Sequence, residues 1–185
     1  MPSRQEVLLD AAIAIVGNQG VRQLTHRAVD AAARVPPGST SNYFKTRQAL
    51  LSAVVDRFAA RERAAWETIA GLVQPRTPGE LAAALAAYVR RATGADRIMT
   101  VARYSLFVEA ALHPELQQRL AETARTVREW GAQWLRAVGS SDPEGECRLI
   151  LDQLDGIMLH QLAFPDPSFD LDRAIAVLVG AIVTA

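Results

Sequence analysis

The stretch RVPPGSTSNYFKTRQALL, residues 34–51, decides the fold. Pro36, Pro37 and Gly38 break the chain, and Pro37 can serve as the first residue of a helix. Ser39, Thr40, Ser41 and Asn42 follow, all short and all carrying hydroxyl or amide groups. Val35 and Phe44 bracket them with apolar anchors. The helix so defined can hardly pass Phe44, and Thr46 can cap the next one. A helix this short is not stable alone, so neighbours must hold it.

Upstream, Ser3-Arg4-Gln5-Glu6 fits a capping box. Val7, Leu8, Ala11, Ala12, Ile15 and Val16 then follow one helical face, and Gly17 and Gly20 can stop that helix. Thr25 can cap a second, short helix whose inner stripe is Ala28, Val29 and Ala32. Packed on the first helix, the two short ones make a helix-turn-helix. The second helix of such a pair enters the major groove of DNA.

The polar run suits that task. Short side chains let the backbone come close, and their donors and acceptors meet phosphates and base edges. Tyr43 can bond a phosphate, and Lys45 and Arg47 add the charge that releases counterions. Thr25, His26 and Arg27 open the preceding helix, whose N-terminal amides can also hold a phosphate. The candidate DNA-binding residues are therefore Thr25, His26, Arg27, Pro37, Gly38, Ser39, Thr40, Ser41, Asn42, Tyr43, Lys45 and Arg47.

Residues 8–51 resemble the TetR family of bacterial transcriptional regulators. The family's "LT.R.VA..A.V" is matched by Leu24, Thr25, Arg27, Val29, Ala33 and Val35. Its aromatic-rich "YYHF" falls on Ser41, Asn42, Tyr43 and Phe44, followed by Lys45, Thr46 and Arg47. Ser41 and Asn42 thus replace the usual tyrosines, Arg47 the usual lysine, and Arg34 the usual glycine before Val35. The resemblance implies a dimeric repressor released from a palindromic operator by a small-molecule ligand. Past residue 75 it rests only on helical pattern.

Composition agrees. Half of the 185 residues are apolar, aromatics make up 6%, and the formal net charge is zero. Up to Arg63 there are nine Lys/Arg and five Asp/Glu; from Ala64 onward there are eleven and fifteen. One end is basic and the other acidic. No stretch reaches the roughly 20 uncharged apolar residues of a membrane span, and the N-terminus does not read as a signal peptide. A cytoplasmic protein fits.

The fold expected is all-α, about nine helices. Residues 1–47 form a three-helix DNA-binding domain, and 48–185 form a helical ligand-binding and dimerisation domain. The long fourth helix runs from Thr46 to about Val73, and QPRTPGE (74–80) is the clearest linker. Further helices are expected near 79–93, 97–112, 114–138, 143–163 and 171–184.

The last two helices suit a dimer seam. One face of helix 143–163 carries Cys147, Ile150, Leu151, Leu154, Ile157, Met158 and Leu162; its other face carries Leu149, Gln153, Gly156, Leu159 and Ala163. The final helix is apolar nearly all round and wants burial on two sides. The seam is read as Ile150, Leu151, Leu154, Ile157, Met158, Leu171, Ile175, Leu178, Val179 and Ile182. A ligand pocket in the middle helices, implied by the resemblance, has candidate lining residues Trp66, Tyr88, Met99, Arg103, Phe107, Trp130, Trp134, Met158 and His160. Arg103, if buried, needs a partner, either Glu109 or Asp155 or an anionic ligand, with the internal carboxylate preferred.

Catalysis finds no support. His26, His113 and His160 are too scattered for a metal motif. Cys147, the single cysteine, reads as a small buried apolar group. No cofactor or metal is implied. The partners are double-stranded DNA, a second copy of the chain and a small molecule. The alternative is a helical ligand-binding or adaptor protein without specific DNA binding.

Overall fold

A computed structural model describes residues 2–183. Among these, all regular structure is helical: α1 (Arg4–Gln19), a 3₁₀ turn (Val21–Gln23), α2 (His26–Ala32), α3 (Ser39–Tyr43), α4 (Arg47–Leu72), α5 (Pro78–Thr93), α6 (Arg97–Leu112), α7 (Pro114–Ala137), α8 (Pro143–Ala163) and α9 (Leu171–Ile182). Thr184, the expected end of the last helix, lies outside the described residues.

Side-chain caps set several boundaries. Ser3 and Glu6 form the reciprocal capping box of α1. The Thr25 hydroxyl accepts from the Ala28 amide, and the Thr46 hydroxyl accepts from that of Ala49. Two expectations need correcting. Gly17 does not stop α1; Gly20, at φ 83°, does. Pro37 does not open α3, because Gly38 caps that helix in the left-handed region at φ 90° and helical geometry starts at Ser39.

The chain forms two compact units. The first comprises the N-terminal residues through Glu62 together with Arg97–Thr123. Its core joins Leu8, Ile13 and Val16 of α1 with Leu24, Val29, Phe44, Leu50, Val54, Phe58 and Leu106. Gly17 lets α1 and α6 approach closely: a Cβ there would lie 2.2 Å from the Ile98 carbonyl oxygen. Arg57 of α4 reaches back to α1 and donates to Glu6 at 2.7 Å and to Asp10 at 2.9 Å. The Arg57 guanidinium holds the Asp10 carboxyl below its ordinary range.

The second unit comprises Arg63–Asp96 and residues from Ala124 onward. Here α5 packs against α9 and α8. Five of the expected seam residues, Ile150, Leu154, Met158, Ile175 and Val179, are buried in this unit. That corrects the expected seam, because these five are core of the protomer and not a free face. Leu151, Ile157, Leu171, Leu178 and Ile182 are half-buried. The open face of α8 is the opposite one, where Leu149 and Leu159 are 54% and 50% exposed. On α9 the open face carries Val177, 64% exposed.

Candidate nucleic-acid interface and ligand cavity

The first unit builds its recognition segment around a buried carboxylate. Asp30, in the last turn of α2, is 4% exposed and Thr40 fully buried. One Asp30 oxygen accepts from the Thr40 hydroxyl at 2.6 Å and the Thr40 amide at 2.8 Å. The other accepts from the Gly38 amide at 2.8 Å. Burial alone would push the Asp30 carboxyl upward; the bonds from Thr40 and Gly38, with the His26 charge, outweigh it and hold the group below its ordinary range. Thr40 is thus a correction to the groove-facing set. Its hydroxyl faces inward and braces α3 on α2.

His26 also serves the frame. Its Nε2 donates to the Phe44 carbonyl at 2.7 Å, tying the start of α2 to the end of α3. Arg47 donates from Nη2 to the Val21 carbonyl at 2.8 Å. The Ser39 and Ser41 hydroxyls donate back to the carbonyls of Pro36 and Gly38. Ser39 is half-buried, while Ser41 is exposed. Thr25, Arg27, Pro37, Gly38, Asn42, Tyr43, Lys45 and Arg47 are exposed as well. Tyr43 stands 48% open, its ring tilted against the buried Phe44.

Aromatic side chains gather in the second unit. Trp66 packs against Tyr88 with ring centres 4.8 Å apart and planes tilted by 40°, and Trp134 lies 6.4 Å from Trp66. Trp66 and Trp134 line a cavity with Leu81, Leu85, Val127, Gly131, Leu135, Cys147, Ile150 and Leu151. Its volume is about 20 Å³, enough for about one water. No ionisable side chain other than the Cys147 thiol lines it. Burial pushes that thiol up to about 11, so it stays protonated at neutral pH.

The other expected pocket residues lie elsewhere. Met99 packs on the core of the first unit. Arg103, in that same unit, pairs with Glu62. Phe107 is 39% exposed and meets Tyr104 edge to face. Met158 is buried in the core, and Trp130 is half-buried outside the cavity wall. His160 is exposed, its ring against Phe164 on the surface. Aromatic and sulfur-bearing residues at helical spacing fill cores as readily as pockets, and spacing does not say which.

Comparison with known proteins bears on this arrangement. A model of the tetracyclin repressor-like C-terminal domain matches residues 76–185. The chain belongs to the TetR family. It is a transcriptional regulator, not an enzyme. The HTH-type transcriptional regulator BetI of Rhizobium meliloti (strain 1021) is 29% identical over 168 residues, 86% of this chain and 78% of that protein. Among solved structures, a transcriptional regulator from Rhodococcus sp. Rha1 shares the fold with a TM-score of 0.80 at 22% identity, covering 97% and 96% of the two chains. The multidrug binding protein EbrR complexed with ethidium is 29% identical, with a TM-score of 0.71 and coverage of 98% and 99%. EbrR complexed with proflavin is 32% identical, with a TM-score of 0.62 and coverage of 97% and 100%.

For this TetR-family chain, two features escaped sequence reasoning. Asp30 is one; an acidic residue within a short amphipathic helix reads as a solvated edge, and only the fold of the turn brings Gly38 and Thr40 onto it. Arg34 is the other. It follows the C-cap of α2 at φ 55°, the single positive-φ position held by a side-chain-bearing residue among those described. The signal was present in the sequence, since this is where the family usually has glycine.

Proposed function

We propose that this regulator is a dimeric repressor, with residues 1–47 as its DNA-reading domain and the remainder serving ligand binding and dimerisation. The exposed Asn42, Tyr43 and Lys45 at the end of α3, with the exposed Arg27 of α2, carry the reading. Asn42 is the group suited to a base edge, because a carboxamide pairs with adenine through two hydrogen bonds. Tyr43, Lys45, Arg27 and the free donors of Arg47 grip phosphates. Thr25, Pro37, Gly38, Ser39 and Ser41 supply close backbone and hydroxyl approach, while His26 holds the frame.

The dimer forms through the open face of α8 and α9. Leu149, Leu159 and Val177 are exposed apolar groups there. Gly156 and Gly180 have open space where a Cβ would stand, so a second pair of helices can come close. A two-fold dimer carries two α3 helices, so a palindromic operator is expected.

The ligand of this reading is flat and aromatic, and it enters between Trp66 and Trp134. Ethidium and proflavin, the compounds held by EbrR, are the probes to try first. A cation would find aromatic faces there and no carboxylate. A drug-sized ligand needs roughly 300 Å³ or more, against the cavity's volume of about 20 Å³. Binding therefore selects a form in which the wall has moved. Trp66 sits on α4, the helix that begins at Arg47. A shift of that helix carries the signal to the DNA-reading end.

Selection of bound duplexes from a random pool tests the reading. A palindromic consensus is expected. Tyr43→Ala and Lys45→Ala should weaken most sequences alike and flatten the salt dependence, whereas Asn42→Ala should change which base is preferred. Leu159→Arg with Val177→Arg should give monomers by sedimentation. Absence of any retarded duplex at low salt, with protein up to tens of micromolar, would favour the ligand-binding adaptor instead.

A further inference from the structure

The second unit holds a concavity that neither DNA reading nor the aromatic cavity uses. It is a half-open groove of about 520 Å³ along α7 and the first turns of α8. Four arginines line it, Arg125, Arg128 and Arg136 from α7 and Arg148 from α8, against the carboxylates Glu129 and Glu144. The α7 residues recur at spacings of three, four and seven, so they share one stripe of that helix. Arg136 is spent on Glu144. The guanidinium groups of Arg125, Arg128 and Arg148 make no hydrogen bond or ion pair with any described residue, and Glu129 takes part in none. The groove is thus left with a positive surplus and several unused planar donor forks.

Such forks match the oxygen geometry of phosphate, two bonds at a time. The concave shape and volume suit a small molecule rather than a flat macromolecular surface. The groove and the aromatic cavity occupy different faces of the same helices: Gly131 and Trp134 of α7 line the cavity, and Arg128 and Arg136 line the groove. We propose that this groove is a second ligand site, for a small phosphorylated molecule carrying at least two negative charges. The assignment is independent of the aromatic ligand and of operator reading.

Inorganic pyrophosphate is the probe, followed by thermal unfolding and by calorimetric titration of the full chain. Pyrophosphate should raise Tm saturably, with a dissociation constant no weaker than about 1 mM. The triple variant Arg125→Gln, Arg128→Gln, Arg148→Gln should bind at least tenfold more weakly. These side chains are exposed and unpaired, so its Tm without anion should match the parent. Arg148→Gln alone should weaken binding severalfold, which keeps the test open if the triple variant folds poorly. Retardation of duplex DNA by the anion-free triple variant should equal that of the parent. The proposal fails if sodium chloride of matched ionic strength raises Tm equally, or if the variants bind pyrophosphate like the parent. It also fails if citrate binds and pyrophosphate does not, or if the variants lose DNA binding in step with anion binding.

Discussion

Thr40→Val is the most revealing single change. Valine fills nearly the same volume but removes the hydroxyl that donates to Asp30 at 2.6 Å. Donor and acceptor are both buried, and the acceptor is charged. A hydrogen bond to a charged group contributes about 1.5–3 kcal/mol, so the unfolding equilibrium should shift roughly ten- to hundredfold. The two backbone donors, Gly38 and Thr40, still hold the carboxylate, which argues for the lower half of that range. Urea unfolding followed by circular dichroism reads the loss, and Thr40→Ser should recover most of it. The deficit should also depend on pH. Asp30 is held below the ordinary carboxylate range, so its contribution is present above that range and fades as pH falls toward its folded value. The gap between Thr40→Val and the parent should therefore narrow below about pH 4. Full stability in Thr40→Val, together with a changed base preference, would refute the inward assignment and return Thr40 to the groove.

Three further outcomes follow from single features. Arg34→Gly should stabilise the chain by up to about 1 kcal/mol, because relief of a left-handed backbone outweighs the added freedom of glycine in the unfolded state; thermal unfolding measures it, and a loss of stability would show that the Arg34 side chain earns its place. Gly17→Ala should destabilise by about 1–3 kcal/mol, since its Cβ would meet the Ile98 carbonyl at 2.2 Å; Ile98→Ala should not rescue it, because the clash is with backbone. Cys147, with its thiol pushed up to about 11, should react slowly with a disulfide reagent at pH 8 and rapidly in urea; equal rates would place the thiol in an open environment.

Much of the fold was legible because its signals are local. Ser3 with Glu6, Thr25 and Thr46 are hydroxyl caps that act within a few residues of themselves, and each does so here. Pro78, Pro114 and Pro143 stand in the first turns of α5, α7 and α8, where a missing amide hydrogen costs nothing. Apolar periodicity at spacings of three and four supplied the rest of helix number and order. The site was legible in outline only. Residues 37–45 were marked as a recognition segment by their chemistry, yet which member of the run faces inward depends on a partner eight to ten positions away.

The sequence by itself determined that this is an all-helical chain with a short polar helix in its first quarter, because caps, helix breakers and apolar periodicity operate over single turns; the TetR resemblance came from the motif residues of that first quarter. Only the tertiary structure decided the orientations. It set Thr40 onto Asp30 and Arg103 onto Glu62. It buried Ile150, Leu154 and Met158 of α8 and left Leu149 and Leu159 open, and it closed the aromatic cavity to about 20 Å³. A helix that is apolar on two faces can turn either one inward, and the choice belongs to the helices packed against it.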